Sequence, residues 1–180
     1  MLTTGSAVFN PRGLGLVLRT NIGEVSFMDL RIEPINIANR RLLEGLSVAP
    51  GQENNIEPIE CCMSEAERNP AWRPVVILAD GMPAGFAMYG FFADEGNFGR
   101  VWLDRLMIDQ SFQGRGIGSA ALNAMVDRLM TEYGCNKIYL SVYESNKGAI
   151  SMYKRRGFKY NGELDAKGEL VMVLGMDDNL

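Results

Sequence analysis

From Asp29 the chain reads Asp-Leu-Arg-Ile-Glu-Pro-Ile, polar and apolar in turn, as a half-buried strand does. A first strand is expected over Leu30–Ile35. Leu42, Leu43 and Leu46 fall on one side of a predicted helix, Ala38–Leu46. A polar loop holding Pro and Gly, Ser47–Asn55, comes next, and Pro58 suits the first turn of a second helix, Pro58–Arg68. Pro74–Ala79 is an apolar strand, Asp80-Gly81 a hairpin signal, and Ala84–Phe92 the returning strand. Asp94–Gly99 is a second turn. Val101–Ile108, rich in branched and aromatic residues, completes an antiparallel meander. Leu122, Met125, Val126 and Leu129 then recur at helical spacing, with Asn123, Asp127 and Arg128 on the other faces and Gly134 closing the helix. Lys137–Tyr143 is a further strand. Glu144-Ser145-Asn146 caps a short helix, Ala149–Arg156, and Gly157 stops it. Phe158–Glu163 and Glu169–Leu174 form a last hairpin over Asp165–Gly168. Strands and helices interleaved in this order predict an α/β domain with a sheet of mixed direction.

Residues 1–27 read differently. They hold Gly5, Pro11, Gly13 and Gly15 and a short apolar run, Leu14–Leu18, and a second methionine, Met28, precedes the first expected strand. Either 1–27 is an extension upstream of a native start at Met28, leaving 28–180 as the domain, or it is an N-terminal arm or extra strand.

One junction carries chemistry. The strand Val101–Ile108 runs into Gln113-Gly-Arg-Gly-Ile-Gly118, which opens the long helix. The first N–H groups of a helix lack intrahelical partners, and the macrodipole adds positive charge there. Glycines let a phosphate approach the backbone. The junction therefore reads as a pyrophosphate cradle, with a tight strand–helix turn that binds nothing as the alternative. A P-loop would need a Lys-Ser/Thr pair after its glycines, and a dinucleotide fingerprint would need glycine where Ser119 stands. Asp104-Arg105 also interrupts the apolar run expected of a doubly wound core strand.

Composition narrows the classes. The 180 residues suit one domain, and the net charge of −4 argues against a dedicated nucleic-acid binder. Three cysteines without a framework or metal-ligand spacing suggest a reducing compartment, hence the cytoplasm, and no bound metal is expected. No apolar run is long enough to span a membrane. Histidine is absent, so acid–base work falls to carboxylate, Tyr, Lys, Cys or water. The stretch from Leu42 to Asn69 carries Glu44, Glu53, Glu57, Glu60, Glu65 and Glu67 against the single base Arg68. These are either solvated faces or a lip that attracts a cationic amine.

The pattern Gln-x-x-Gly-x-Gly at Gln113–Gly118 resembles motif A of the GNAT superfamily of N-acetyltransferases. Glu144-Ser-Asn-Lys-Gly-Ala-Ile-Ser-Met-Tyr-Lys-Arg-Arg-Gly-Phe158 resembles its motif B. The segments Gly85–Gly90, Trp102–Arg105 and Asn161–Asp165 further resemble bacterial spermine/spermidine acetyltransferases associated with the Blt multidrug transporter. The resemblance, over Leu30–Leu174, implies a GNAT-like, mostly antiparallel sheet flanked by helices, with a splayed central strand pair. It implies direct transfer of acetyl from acetyl-CoA to a primary amine, most readily a polyamine, by a homodimer. Other amines (a protein N-terminus, lysine, an aminoglycoside) and a non-catalytic acyl-CoA sensor are the alternatives.

Residue by residue, Leu106, Met107 and Ile108 match the strand segment whose backbone holds the pantetheine arm. Gln113, Gly114, Arg115, Gly116, Ile117, Gly118 and Ser119 match the pyrophosphate loop, and Asn146 a cofactor contact that also suits a helix cap. Tyr153 matches the tyrosine that protonates the departing thiolate, and Lys154 is a further candidate for the phosphates. Asp104 aligns with a glutamate used near the amine, as base or as amine-binding group. Adjacent strand residues face opposite ways, so a pair with Arg105 is not expected. Tyr89 and Glu163 are candidates for the same pocket, and a water chain could replace a single base.

Overall fold

The computed structural model describes residues 6–10, 13–19 and 25–175. Among these, three helices and nine strands follow one another as β1 (Ser6–Asn10), β2 (Gly13–Arg19), β3 (Val25–Pro34), α1 (Ile59–Arg68), β4 (Trp72–Ala79), β5 (Met82–Phe92), β6 (Arg100–Ile108), α2 (Ile117–Tyr133), β7 (Lys137–Val142), α3 (Lys147–Arg156), β8 (Lys159–Leu164) and β9 (Leu170–Gly175). The strands form one sheet in the order β1-β2-β3-β4-β5-β6-β7-β9-β8. Every pairing is antiparallel except β6 with β7. The mixed, mostly antiparallel sheet is thus the one expected.

Strand β3 begins upstream of Met28, because β2 pairs with Val25–Leu30 and extends the ladder backwards. The described parts of 1–27 are therefore strands at the sheet edge; 1–5, 11–12 and 20–24 lie outside the described residues.

The expected helix Ala38–Leu46 is only a short 3-10 turn, Arg40–Leu43. Local asparagine chemistry competes with it. Asn36 Oδ1 accepts from the N–H of Ala38 at 2.8 Å, and Asn39 Oδ1 from that of Asn36 at 2.8 Å. Such bonds offer the backbone an alternative to the helical ladder, and Gly45 then takes φ +84°. Leu43 is nevertheless buried, with Leu42 and Leu46 packed against the same core.

Two cores sandwich the sheet. On one face α2 sets Leu122, Met125, Val126 and Leu129 against Val75, Ile77, Leu103 and Leu140. On the other, Leu43, Ile59, Cys62 and Met63 pack on Val76, Phe86, Met88 and Met107. Burial alternates residue by residue along β6.

Two departures from regularity on β6 create the site. The first is a bulge. Met88 opposes Arg105 and Tyr89 opposes Leu103, so Asp104 has no partner on β5. The extra residue reverses which face the odd-numbered side chains meet. Val101 and Leu103 share the α2-side core with Leu106 and Ile108. Asp104 and Arg105 consequently turn to the same side. The second is a splay. β6 and β7 meet in a single bridge, Trp102 with Tyr139, and diverge towards Ile108 and Val142. The β7-facing edge of Asp104–Ile108 therefore has no strand partner among the described residues.

Candidate active site

The splay opens into a cleft of about 470 Å³. Its floor is Leu106–Ile108, its closed end the turn before α2, and one wall the start of α3. Gly116 is the N-cap of α2 at φ +79°, a left-handed conformation that glycine adopts without a Cβ clash. Within the first turn, a Cβ on Gly118 would lie 3.4 Å from Met152 Sδ and 3.6 Å from Ile108 Cγ1. Glycine there keeps the floor open between β6 and α3.

Leu106, Met107, Ile108, Gln113, Gly114, Gly116, Gly118, Ser119 and Asn146 all line the cleft. Arg115 and Ile117 do not. Arg115 is exposed, with its guanidinium 5.7 Å from the Phe112 ring centroid. Ile117 is buried in the α2 core, because an N1 side chain on this face points at the sheet rather than at the turn. Lys154 is exposed and outside the lining; Arg155, one residue on, faces the cleft. Asn146 accepts from the N–H of Ala149 at 3.2 Å, so capping and lining are one arrangement.

The opposite wall comes from the loop before α1. Val48, Gln52, Asn55 and Ile56 line it, residues without any periodicity that marks them in the sequence. Two fastenings hold this loop. Gln113 Nε2 donates to Gln52 Oε1 at 2.9 Å and to the Ile108 carbonyl at 3.0 Å. The buried Asp109 carboxylate accepts from the N–H of Ser47 and of Ser111, both at 2.9 Å. Burial opposes its charge, but these bonds and the Ser111 hydroxyl hold its carboxyl below the ordinary range.

A smaller pocket of about 80 Å³ adjoins the cleft, and both are lined by Asn55, Ile56, Leu106, Asn146, Ala149 and Met152. Its far wall holds Glu57, Asp104, Arg105, Tyr153 and Glu169. Arg105, only 8% exposed, contacts the Asp104 carboxylate through Nη1. This pair, not expected from simple alternation, follows from the bulge. Arg105 Nε lies 2.7 Å from Glu57 Oε2, an ion pair too misaligned for a hydrogen bond, and Nη2 lies 3.5 Å from Glu65. Glu57 also pairs with Lys167 of the β8–β9 turn. Burial works against its charge, yet Lys167 and Arg105 keep its carboxyl below the usual value. Of the acidic stretch, Glu57 lines the pocket, whereas Glu67 pairs with Arg40 and Glu53 accepts from Gly51.

Tyr153 is 7% exposed and stacks near Phe158 at 6.0 Å between centroids. Burial, with the nearby Glu169 charge, pushes its hydroxyl up to about 12, so it holds a proton at neutral pH. Two expected neighbours are elsewhere. Tyr89 is buried under α2 and donates to Glu132 at 2.9 Å. Glu163 takes a two-pronged contact from Arg100, at 2.6 and 2.9 Å, on β8. Glu169, buried immediately before β9 and unmarked by any motif, is the pocket residue that only the strand pairing reveals.

The arrangement combines an anion cradle, an unpaired strand edge, a protonated tyrosine and a pocket richer in carboxylates than in cations. Such a site suits a long phosphorylated ligand in the cleft and a cation beside it. Among the described residues no helix is long and apolar enough to cross a membrane.

A spermine/spermidine N(1)-acetyltransferase of Bacillus subtilis (strain 168) is 43% identical over 149 residues, 81% of this chain and 98% of that protein. The structure of an aminoglycoside acetyltransferase, AAC(6')-Ib in complex with coenzyme A, matches with a TM-score of 0.66 at 20% identity, over 82% of this chain and 95% of that one. The structure of a mutant spermidine N-acetyltransferase from Vibrio cholerae matches with a TM-score of 0.63 at 18% identity, over 81% of this chain and 93% of that one. The model of the Acetyltransferase (GNAT) family matches residues 38–158, and the chain belongs to that family.

Proposed function

We propose that this chain transfers acetyl from acetyl-CoA directly to a primary amine of a polyamine, spermine or spermidine. The observation that carries the reading is the meeting of the cleft and the acidic pocket at the splay, where they share Leu106, Asn146 and Met152. The 43% identity to a spermine/spermidine acetyltransferase supports the acceptor class.

The residues fit acetyl-CoA. The turn from Gly114 to Ser119 and the N-terminus of α2 receive the pyrophosphate, with Gln113 and Asn146 at the sides. The unpaired edge of Leu106–Ile108 offers N–H and C=O groups to the pantetheine amides, as a neighbouring strand would. Acetyl-CoA supplies the activated acyl group; the chain positions it and manages protons. Tyr153, protonated and buried in the wall of the adjoining pocket, donates to the departing thiolate. Glu57 and Asp104 line the pocket that receives the acceptor, with Arg105 holding both in place. The protein acts as a homodimer in the cytoplasm in this reading, and sedimentation at micromolar concentration checks the first point.

The test is thiol release from acetyl-CoA with spermine, spermidine, putrescine, lysine, an aminoglycoside and a peptide N-terminus. Release confined to spermine and spermidine is expected. Release with another acceptor keeps the transfer and discards the polyamine.

A further inference from the structure

We propose that Glu169 is the group that takes the proton from the incoming ammonium. The inference rests on the reading of the chain as an amine acetyltransferase. Glu169 immediately precedes β9, whose Leu170 is paired with Val142 of β7. That pairing brings its carboxylate into the pocket that also holds Tyr153 and Asp104. The side chain is 9% exposed and accepts from the Ser141 hydroxyl at 3.0 Å. Among the described residues no cation is in ion-pair contact with it.

The contrast with the other carboxylates of the pocket decides between them. Asp104 is neutralised by Arg105, and Glu57 by both Arg105 and Lys167. A carboxylate bound by a guanidinium or ammonium has its charged form stabilised and is a weaker proton acceptor. Glu169 is the buried carboxylate of the wall left without such a partner. The groups facing it are Ser141 and Tyr143 of β7 and its end, Tyr153 of α3, Asp165 and Lys167 of the turn, Glu57 of the loop before α1, and Asp104 and Arg105 of β6. Burial, and the charges of Asp165 and Glu57, raise its carboxyl above the usual value, against the Ser141 bond and Lys167. A raised value brings a base nearer the working pH.

The protons balance. The acceptor arrives as an ammonium and gives one proton to the Glu169 carboxylate, which later releases it to solvent. The free amine nitrogen bonds to the thioester carbonyl carbon, and the carbon–sulfur bond breaks. The sulfur takes the Tyr153 proton, and the second proton lost by the nitrogen restores the tyrosine. One proton leaves per amide formed.

Glu169→Gln keeps the shape and the Ser141 contact but cannot accept the proton. Its kcat/KM for spermidine at pH 7 is expected to fall at least a hundredfold, through kcat. Coenzyme A affinity by calorimetry should stay within twofold. The deficit should shrink as the pH approaches the acceptor's own pKa, where solution supplies free amine. Glu169→Asp should retain a tenth or more of the wild-type rate. Independently of turnover, carboxyl-labelled glutamate gives a 13C resonance that the Gln variant lacks, and it should titrate above the ordinary glutamate range. A Gln variant with unchanged kcat and only a raised KM, or a deficit the same at every pH, would overturn the proposal. A wild-type protein that releases thiol with no amine would instead overturn the function on which it rests.

Discussion

At the scale of single residues, the site is a set of protonation states fixed by what each side chain touches. Tyr153 is kept neutral by burial and by the Glu169 charge, the state that the proposed acid role requires. Tyr153→Phe removes one hydroxyl from a ring already packed on Phe158, so the fold and cofactor binding should hold. Turnover should fall by about 10² to 10⁴, the range for loss of a general acid. Single-turnover rates and a coenzyme A titration measure the two effects separately, and unchanged turnover removes Tyr153 from the mechanism. Motif B pointed to this tyrosine, and its ring stands in the pocket wall. Nothing local to Asp104 announced its contact with Arg105, because simple alternation puts them on opposite faces and the bulge is set by the register of β5. Glu169 was illegible for a related reason: its place in the pocket is decided by the β7–β9 ladder.

Among elements, the strand–turn–helix unit of β6 and α2 is the part most readable from sequence. Local rules agree there: branched and aromatic residues in the strand, glycine in the turn and an apolar stripe in the helix. The loop 47–56 is the counterexample. It forms a cleft wall through Gln52–Gln113 and Ser47–Asp109 contacts across the chain, which no local pattern records. The failed helix at 38–46 shows leucine spacing overruled by asparagine turns. Gly118 separates the demands of helix and cleft. Alanine there should favour the helix by about 0.5–1 kcal/mol. Its methyl would meet Met152 and Ile108 and narrow the floor. Gly118→Ala should therefore melt at or above the wild-type temperature while its dissociation constant for coenzyme A rises about tenfold. Calorimetry showing tighter binding would mean that the ligand does not cross this floor.

For the molecule as a whole, two buried tyrosines set an alkaline limit. Tyr89 and Tyr153 are both pushed up to about 12, chiefly by burial, against about 10 in the unfolded chain. Between those values the folded state binds more protons than the unfolded one, so stability falls as pH rises. Below pH 10 the contribution is fully present. It is lost as pH climbs through the folded values, by about 2 to 3 kcal/mol for each ring at most. Urea midpoints should decline from pH 10 to 12, and Tyr153→Phe should flatten part of that decline. A midpoint indifferent to pH in this window would contradict the burial of both rings.

The single bridge between β6 and β7 leaves the sheet unfinished along Asp104–Ile108. In the proposed reading the missing stretch of ladder is supplied by the pantetheine arm, so substrate occupancy and structural completion are one event. Mass action then ties the lifetime of the protein to metabolic supply. A hundredfold excess of acetyl-CoA over its dissociation constant adds about 2.7 kcal/mol to the folded state. Openings that a protease could exploit become roughly a hundredfold rarer. Scarcity of coenzyme A and its thioesters would thus slow the reaction and shorten the survival of the enzyme together, through one gap in one sheet.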